Sequence, residues 1–164
     1  MPLQHLQLRR AELEHFVREL TQRREIWQPF VRHGADGRMY ERVWEDEKVN
    51  AWLICWSVGQ DTGWHDHDDA AAAISVIEGQ LREERLRLAG PPAEMVLGQG
   101  TTTFVPANAI HRVTHAGTVA AVSIHAYSPP LRRTGAYTLS ADGELQRDAQ
   151  PSEQELKAEA ALAL

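Results

Sequence analysis

Three sets of chemically capable side chains recur at a spacing of two residues: Tyr40 with Arg42, His65 with His67, and the series Ser123, His125 and Tyr127. Successive side chains on a β-strand alternate faces, so each set would project from one side of a sheet. Ile124 and Ala126, between the last three, are apolar and suited to packing on the other side. Paired imidazoles suit a metal ion, an arginine suits an anionic ligand, and a Ser-His-Tyr row suits a hydrogen-bond relay. Each set alone also has an ordinary explanation. The histidines could be a surface pair, Arg42 an exposed ion pair worth little, and the third set a polar layer.

The composition narrows the chemistry. The 164 residues include eight histidines but one cysteine, Cys55, which excludes an intrachain disulfide and any multi-thiolate metal site. A metal would have to be held by nitrogen and oxygen, which favours iron, copper, nickel or manganese over a structural zinc ribbon. Seventeen Lys and Arg stand against 23 Asp and Glu, a formal charge of -6, and no basic run offers a footprint for nucleic acid. The longest largely apolar stretch, residues 70–77, is far shorter than the ~20 residues that span a bilayer. The opening MPLQHLQLRR lacks the apolar core of a signal peptide. The expectation is a cytoplasmic monomer that binds neither nucleic acid nor membrane.

Positioning falls to two kinds of element. Leu3, Leu6, Leu13, Phe16, Val17, Leu20 and Trp27 recur at roughly helical spacing among Arg, Glu and Gln, predicting an amphipathic helix over residues 3–27 that breaks before Pro29. From residue 40 the texture changes to short Val-, Ile-, Trp- and Thr-rich runs punctuated by Gly, Pro and Asn. Strands are predicted at 40–44, 51–58, 73–78, 80–88, 94–97, 101–105, 119–127 and 136–139, a mainly all-β sandwich or small barrel. Glu78-Gly79 reads as a hairpin turn. The charged run Arg82, Glu83, Glu84, Arg85 and Arg87 reads as a solvated outer face. Ser152 with Glu155 three residues later marks the start of a short C-terminal helix. One domain over 1–164 is expected: a helical segment 1–35, a barrel 36–140 and a tail 141–164.

Two further patterns connect these pieces. Gly59, His65, His67 and Gly79 resemble the first motif of the cupin superfamily. Gly100, Pro106, Asn108 and His111 resemble the second, with Asn108 where that motif has glycine. The resemblance implies a double-stranded β-helix, or jelly-roll barrel, that holds a metal inside with histidines from both motifs. The glutamate that usually follows the second histidine is missing, since the stretch reads Asp68-Asp69-Ala70-Ala71-Ala72-Ala73. The implied metal ligands are therefore His65, His67 and His111, a set similar to that of the thiol dioxygenases, of which cysteine dioxygenase is the best-known member. Tyr40-Glu41-Arg42, Trp52 to Trp56, His65-Asp66-His67, Ile110 to Val113 and Ser123 to Pro130 stand in that family's order over about residues 40 to 130.

The resemblance implies a mononuclear Fe(2+) enzyme that adds dioxygen to L-cysteine to give the sulfinic acid, with 3-mercaptopropionate as the alternative thiol. A non-catalytic metal-binding cupin and a cupin acting on a carbon acid are the readings from other classes. By the same resemblance Arg42 holds the substrate carboxylate with Tyr40 beside it, Arg132 and Arg133 being rival cations. Tyr127 faces the reacting atoms and is oriented by His125 and Ser123, and the Ser128-Pro129 bond is cis. Ala72 stands where the animal enzymes carry the cysteine that cross-links to the tyrosine. His115 and Cys55 are expected to be structural, and His5, His15 and His33 to face solvent.

Overall fold

The computed structural model describes residues 7–151. Its helical start is α1 (Arg10–Gln22) and α2 (Arg24–Trp27), followed by a 3-10 turn at Gln28–Phe30. The single helix predicted over 3–27 is thus interrupted at Arg23, whose backbone leaves helical geometry. Leu3 and Leu6 lie outside the described residues. The Glu12 side chain accepts a hydrogen bond from the Arg9 backbone N–H, which starts α1 where that donor would otherwise lack an intrahelical partner. Leu13, Val17 and Leu20 form its buried stripe.

In chain order the strands are β1 (Met39–Glu45), β2 (Asn50–Trp56), β3 (His65–Asp66), β4 (Ala71–Glu78), β5 (Gln80–Arg85), β6 (Ala93–Leu97), β7 (Thr102–Val105), β8 (His111–Ala116), β9 (Ala121–Ser128), β10 (Arg133–Leu139) and β11 (Leu145–Pro151). They form two sheets, ordered β1-β2-β9-β4-β7 and β11-β10-β3-β8-β5-β6. Every pairing given between named strands is antiparallel. This is the expected cupin jelly-roll.

The first sheet is covered on both faces. Its inner face contributes Trp52, Ile54, Trp56, Ala72, Ile74 and Tyr127 to a core shared with Leu81, Leu97 and Val113 of the second sheet. Its outer face packs Ala51, Leu53, Cys55, Ala73, Ile124 and Ala126 against the α1 stripe. That cover makes β2 and β9 buried along their whole length. Removing each Leu, Ile or Val of these layers from water stabilises the fold by roughly 1.5–3 kcal/mol. The second sheet faces solvent on its outer side, and β8 accordingly alternates buried and half-buried residues.

Several expectations are corrected. Glu78-Gly79 is no hairpin, because β4 pairs with β7 and β9 whereas β5 pairs with β6 and β8. It is the corner at which the chain changes sheets. Gly79 has φ +73°, and a Cβ there would lie 2.7 Å from the Ala120 carbonyl oxygen, so backbone freedom and space both require glycine. Strands β3, β8 and β11 escaped sequence detection, and the segment expected as tail from residue 141 contains β11 paired with β10. The helix expected after Ser152 lies outside the described residues. The Ser128-Pro129 peptide is cis.

Candidate metal centre and its surroundings

Strand β3 sits between β10 and β8, and pairing sets His65 directly across from His111. Two residues after His65, His67 returns to the same side, as the spacing predicted. The three imidazoles are buried and their candidate ligand atoms lie within 4.8 Å of one another. His67 Nε2 is 3.2 Å from His65 Nε2 and 3.2 Å from His111 Nε2.

The other ring nitrogens fix the proton arrangement. His65 Nδ1 lies 3.1 Å from the Gly63 carbonyl oxygen and so donates to it. His111 Nδ1 donates to Glu83 Oε2 at 2.9 Å. His65 is neutral and donates through Nδ1, so its Nε2 is a bare lone pair aimed at His67, and His111, engaged with Glu83 through Nδ1, turns its own Nε2 toward His67. Burial pushes the His65 and His67 imidazoles well below their ordinary range, with the neighbouring His111 adding to the effect in both. Three convergent Nε2 atoms, with the Nδ1 atoms of two of the rings engaged elsewhere, make a poor hydrogen-bond cluster but a suitable donor set for one transition-metal cation. The residues therefore fit a metal. Among the described residues, this is the group of His, Cys, Asp or Glu that could hold one.

Glu83 overturns the reading of the charged run as a solvated face. It is 2% exposed, and its other oxygen accepts from Arg85 Nε at 2.7 Å. Burial by itself would raise its carboxyl, but the His111 hydrogen bond and the Arg85 guanidinium hold it below the usual carboxylate range. The signal was present in the sequence: Leu81 and Glu83 share a strand face, and Leu81 is a core residue. Asp66, between His65 and His67, points the other way. There Arg147 and Tyr137 hydrogen-bond its carboxylate and, against the opposing effect of burial, bring its pKa down to about 2.

Across the interior lies the polar row of β9. Ser123 Oγ is 2.9 Å from His125 Nε2 and also receives the Trp56 indole N–H at 2.9 Å. Trp56 stacks with the His125 ring at 6.2 Å between centroids. Burial, then the positive charge of Arg38, then His111, push His125 down to about 3. It is a neutral ring near pH 7. The Tyr127 ring meets His67 edge-on at 4.9 Å, so the end of the row touches the histidine cluster. Ala72 pairs with Tyr127 on the adjacent strand, while Cys55 packs on the opposite, helix-covered face of the sheet.

Tyr40 is half-buried against the inner core, with its ring 6.1 Å from Trp52. Arg42 shares its strand face and lies over Trp52, but its side chain is 43% exposed and binds Glu45 at 3.0 Å. Arg132 binds the same Glu45 at 2.7 Å, and Arg133 is exposed. His115 is buried, lying 2.6 Å from the Val119 carbonyl oxygen through Nε2 and receiving the Gly59 N–H at Nδ1. His15 and His33 are exposed, and His5 lies outside the described residues. Sequence reasoning passed over Arg38, buried two residues before Tyr40, although it extends the Tyr40/Arg42 spacing by one step.

Comparison with known proteins agrees with this geometry. A family model described as cysteine dioxygenase type I matches residues 9–140. The chain is similar to cysteine dioxygenase type 1 of Danio rerio, 28% identical over 134 residues, covering 74% of this chain and 66% of that protein. It is also 28% identical over 93 residues to cysteine dioxygenase type 1 of Bos taurus, covering 51% of this chain and 46% of that one. The chain thus spans between about half and two thirds of these relatives' length. In fold it is similar to an uncharacterised Klebsiella pneumoniae protein with a double-stranded β-helix domain, with TM-score 0.55 and 16% identity over 62% of this chain and 80% of that one.

Proposed function

The chain belongs to the cysteine dioxygenase type I family, and from that premise we propose that it is a mononuclear non-heme iron thiol dioxygenase converting L-cysteine and dioxygen to cysteine sulfinic acid. The observation that carries the reading is the set of three convergent, buried imidazoles with Tyr127 packed edge-on against one of them. The overall reaction, R–SH + O2 → R–SO2H, places both oxygen atoms on sulfur and needs no external reductant. When bound, Fe(2+) supplies the redox-active centre at which a thiol, made acidic by coordination, and dioxygen meet.

The protein's own residues supply placement. Gly63 and Glu83 hold His65 and His111 in the tautomers that present Nε2 inward. A neutral donor set leaves the cation's charge available to an anionic ligand, which suits a thiolate. The relay Trp56–Ser123–His125 fixes a neutral imidazole beside Tyr127, whose phenol is positioned for the reacting sulfur and oxygen. Arg42 is the residue that the family pattern nominates for the substrate carboxylate, with Tyr40 beside it. Its tie to Glu45 favours keeping a second reading, oxidation of another small thiol such as 3-mercaptopropionate.

The test is reconstitution with Fe(2+) and oxygen uptake against L-cysteine, 3-mercaptopropionate and cysteamine, with the sulfinate identified by mass spectrometry. Thiol-dependent uptake with sulfinate formation is expected; an iron-loaded sample inert to all three thiols would refute the proposal. His111→Ala should lose the metal, and stoichiometric iron in that variant would remove His111 from the ligand set.

A further inference from the structure

The three imidazoles are not held alike. His65 is anchored through Nδ1 by the Gly63 carbonyl and His111 by the Glu83 carboxylate. His67 Nδ1 is buried and meets no hydrogen-bond partner among the described residues. Apart from its packing against Tyr127, the His67 ring takes its direction from the backbone that carries it. That backbone has already left the ladder, since β3 ends at Asp66. Strand β3 pairs with β8 at His65 alone and with β10 at His65 and Asp66.

The turn after β3 is closed by a side chain. Asp66 Oδ1 accepts the Asp68 N–H at 2.9 Å, and Asp68 has φ +56°, the one positive value at a non-glycine residue among those described. Outside glycine that conformation needs local support. The support comes from the far edge of the second sheet. Arg147 of β11 donates from Nε to Asp66 Oδ2 and from a terminal nitrogen to Oδ1, both at 2.9 Å, and the same nitrogen lies 3.3 Å from Asp68 Oδ1. The Tyr137 hydroxyl donates to Asp66 Oδ2. Strand β10 lies between β11 and β3, so the arginine has to cross it. It crosses at Gly135, which pairs with Asp66 on one side and Ala149 on the other. A Cβ at Gly135 would lie 2.6 Å from the guanidinium carbon of Arg147, so the lane is open because no side chain stands there.

Resting on the three-histidine metal centre of the proposed function, we infer that Arg147, lying across Gly135, is a positioning residue for His67: through the Asp66–Asp68 turn it sets the direction of the ligand imidazole that has no hydrogen-bond anchor of its own. A two-bond guanidinium–carboxylate pair fixes angle as well as distance. The Asp66 carboxylate so fixed presents Oδ1 to the Asp68 N–H, and the chain between them, which is His67, has one course. The Arg147 side chain is 35% exposed, so the pair contributes direction more than stability. The first two ligands are thus oriented at their ring nitrogens and the third through its backbone, by a residue 81 positions beyond Asp66 in the chain.

The experiment compares wild type with Arg147→Ala, Arg147→Lys, Gly135→Ala and the double variant Arg147→Ala/Gly135→Ala. Affinity for Fe(2+) and for Co(2+) is measured without oxygen by competition with a chelator, at a temperature where circular dichroism shows the metal-free proteins folded. Thermal unfolding of the metal-free proteins is followed alongside. Arg147→Ala should bind either metal about tenfold more weakly, the lower end of the ~10–100-fold range for outer partners of a ligand. Arg147→Lys, which keeps the charge without the fork, should recover part of that loss. Gly135→Ala should reproduce the Arg147→Ala loss, because the atoms its methyl group meets are the far end of a flexible side chain, which turns aside while the sheet stays. The double variant should be no weaker than Arg147→Ala, since both changes remove one contact. The visible spectrum of the Co(2+)-loaded protein, which reports the geometry of the ligand set, should differ from wild type in Arg147→Ala and Gly135→Ala and return toward it in Arg147→Lys. Should Arg147→Ala fail to fold, Gly135→Ala and Arg147→Lys carry the same comparison. A role confined to fastening the β10–β11 hairpin would lower the unfolding midpoint and leave affinity and spectrum unchanged, and that result overturns the proposal. So do additive losses in the double variant, or a loss in Arg147→Ala that Gly135→Ala does not share. If wild type binds neither metal, the metal centre falls and the proposed function with it; if it binds them and the variants match it, only the assignment of Arg147 falls.

Discussion

Replacing Glu83 by glutamine keeps the shape of a side chain that is 2% exposed and removes its charge. Glu83 accepts from His111 Nδ1 at 2.9 Å and from Arg85 Nε at 2.7 Å. An amide oxygen accepts one of these bonds, so the other donor faces an NH2 group. A hydrogen bond to a charged partner contributes about 1.5–3 kcal/mol and a neutral one about 1 kcal/mol. The anchoring of His111 therefore weakens by on the order of 1–2 kcal/mol in Glu83→Gln. Part of that appears as lost metal affinity, because a ring free to turn away from its ligand geometry must be reordered on binding. An affinity about tenfold lower is expected for Glu83→Gln, within the ~10–100-fold range that such outer partners command. Glu83→Ala should lie at the far end of that range and should also destabilise the metal-free fold, since His111 and Arg85 lose their shared acceptor. The assay is competition for the metal with a coloured chelator at neutral pH, alongside thermal unfolding of the metal-free proteins. Wild-type affinity in Glu83→Gln would refute the claim that this carboxylate holds the third histidine in place.

Three other outcomes follow from the geometry. The intact mass of the iron-loaded protein after turnover should equal the sequence mass, because Ala72 faces Tyr127 and Cys55 lies on the opposite face of that sheet; a thioether-linked product would contradict the register. Gly79→Ala should cost at least about 2 kcal/mol in chemical unfolding, from a positive φ and a contact with the Ala120 carbonyl, and an unchanged midpoint would argue against the sheet-changing corner. Asp66, lowered from 3.8 to about 2, contributes stability that is fully present above about pH 4 and is lost as pH falls through about 2. Melting curves of the metal-free protein over that window should show an acid limb that Asp66→Asn flattens; identical limbs would show that the Arg147 and Tyr137 contacts do not hold the carboxylate in solution.

The sequence by itself determined the chemistry available: one cysteine beside eight histidines left nitrogen and oxygen to hold any metal, and period-two spacing put His65 with His67 and Ser123, His125 and Tyr127 on common faces. Those are local properties, set by the alternation of side chains along a strand. It could not say which strands adjoin. That His65 lies across from His111, that Ala72 faces Tyr127, and that the chain changes sheets at Gly79 instead of turning back are consequences of long-range pairing. Burial was equally out of reach for charged residues. Glu83 and Arg38 have the same local texture as the exposed Arg42 and Glu45, and only the closing of two sheets around an interior separates them. A charge becomes part of a site when the fold removes its water and supplies its partners, and both depend on residues far away in the chain.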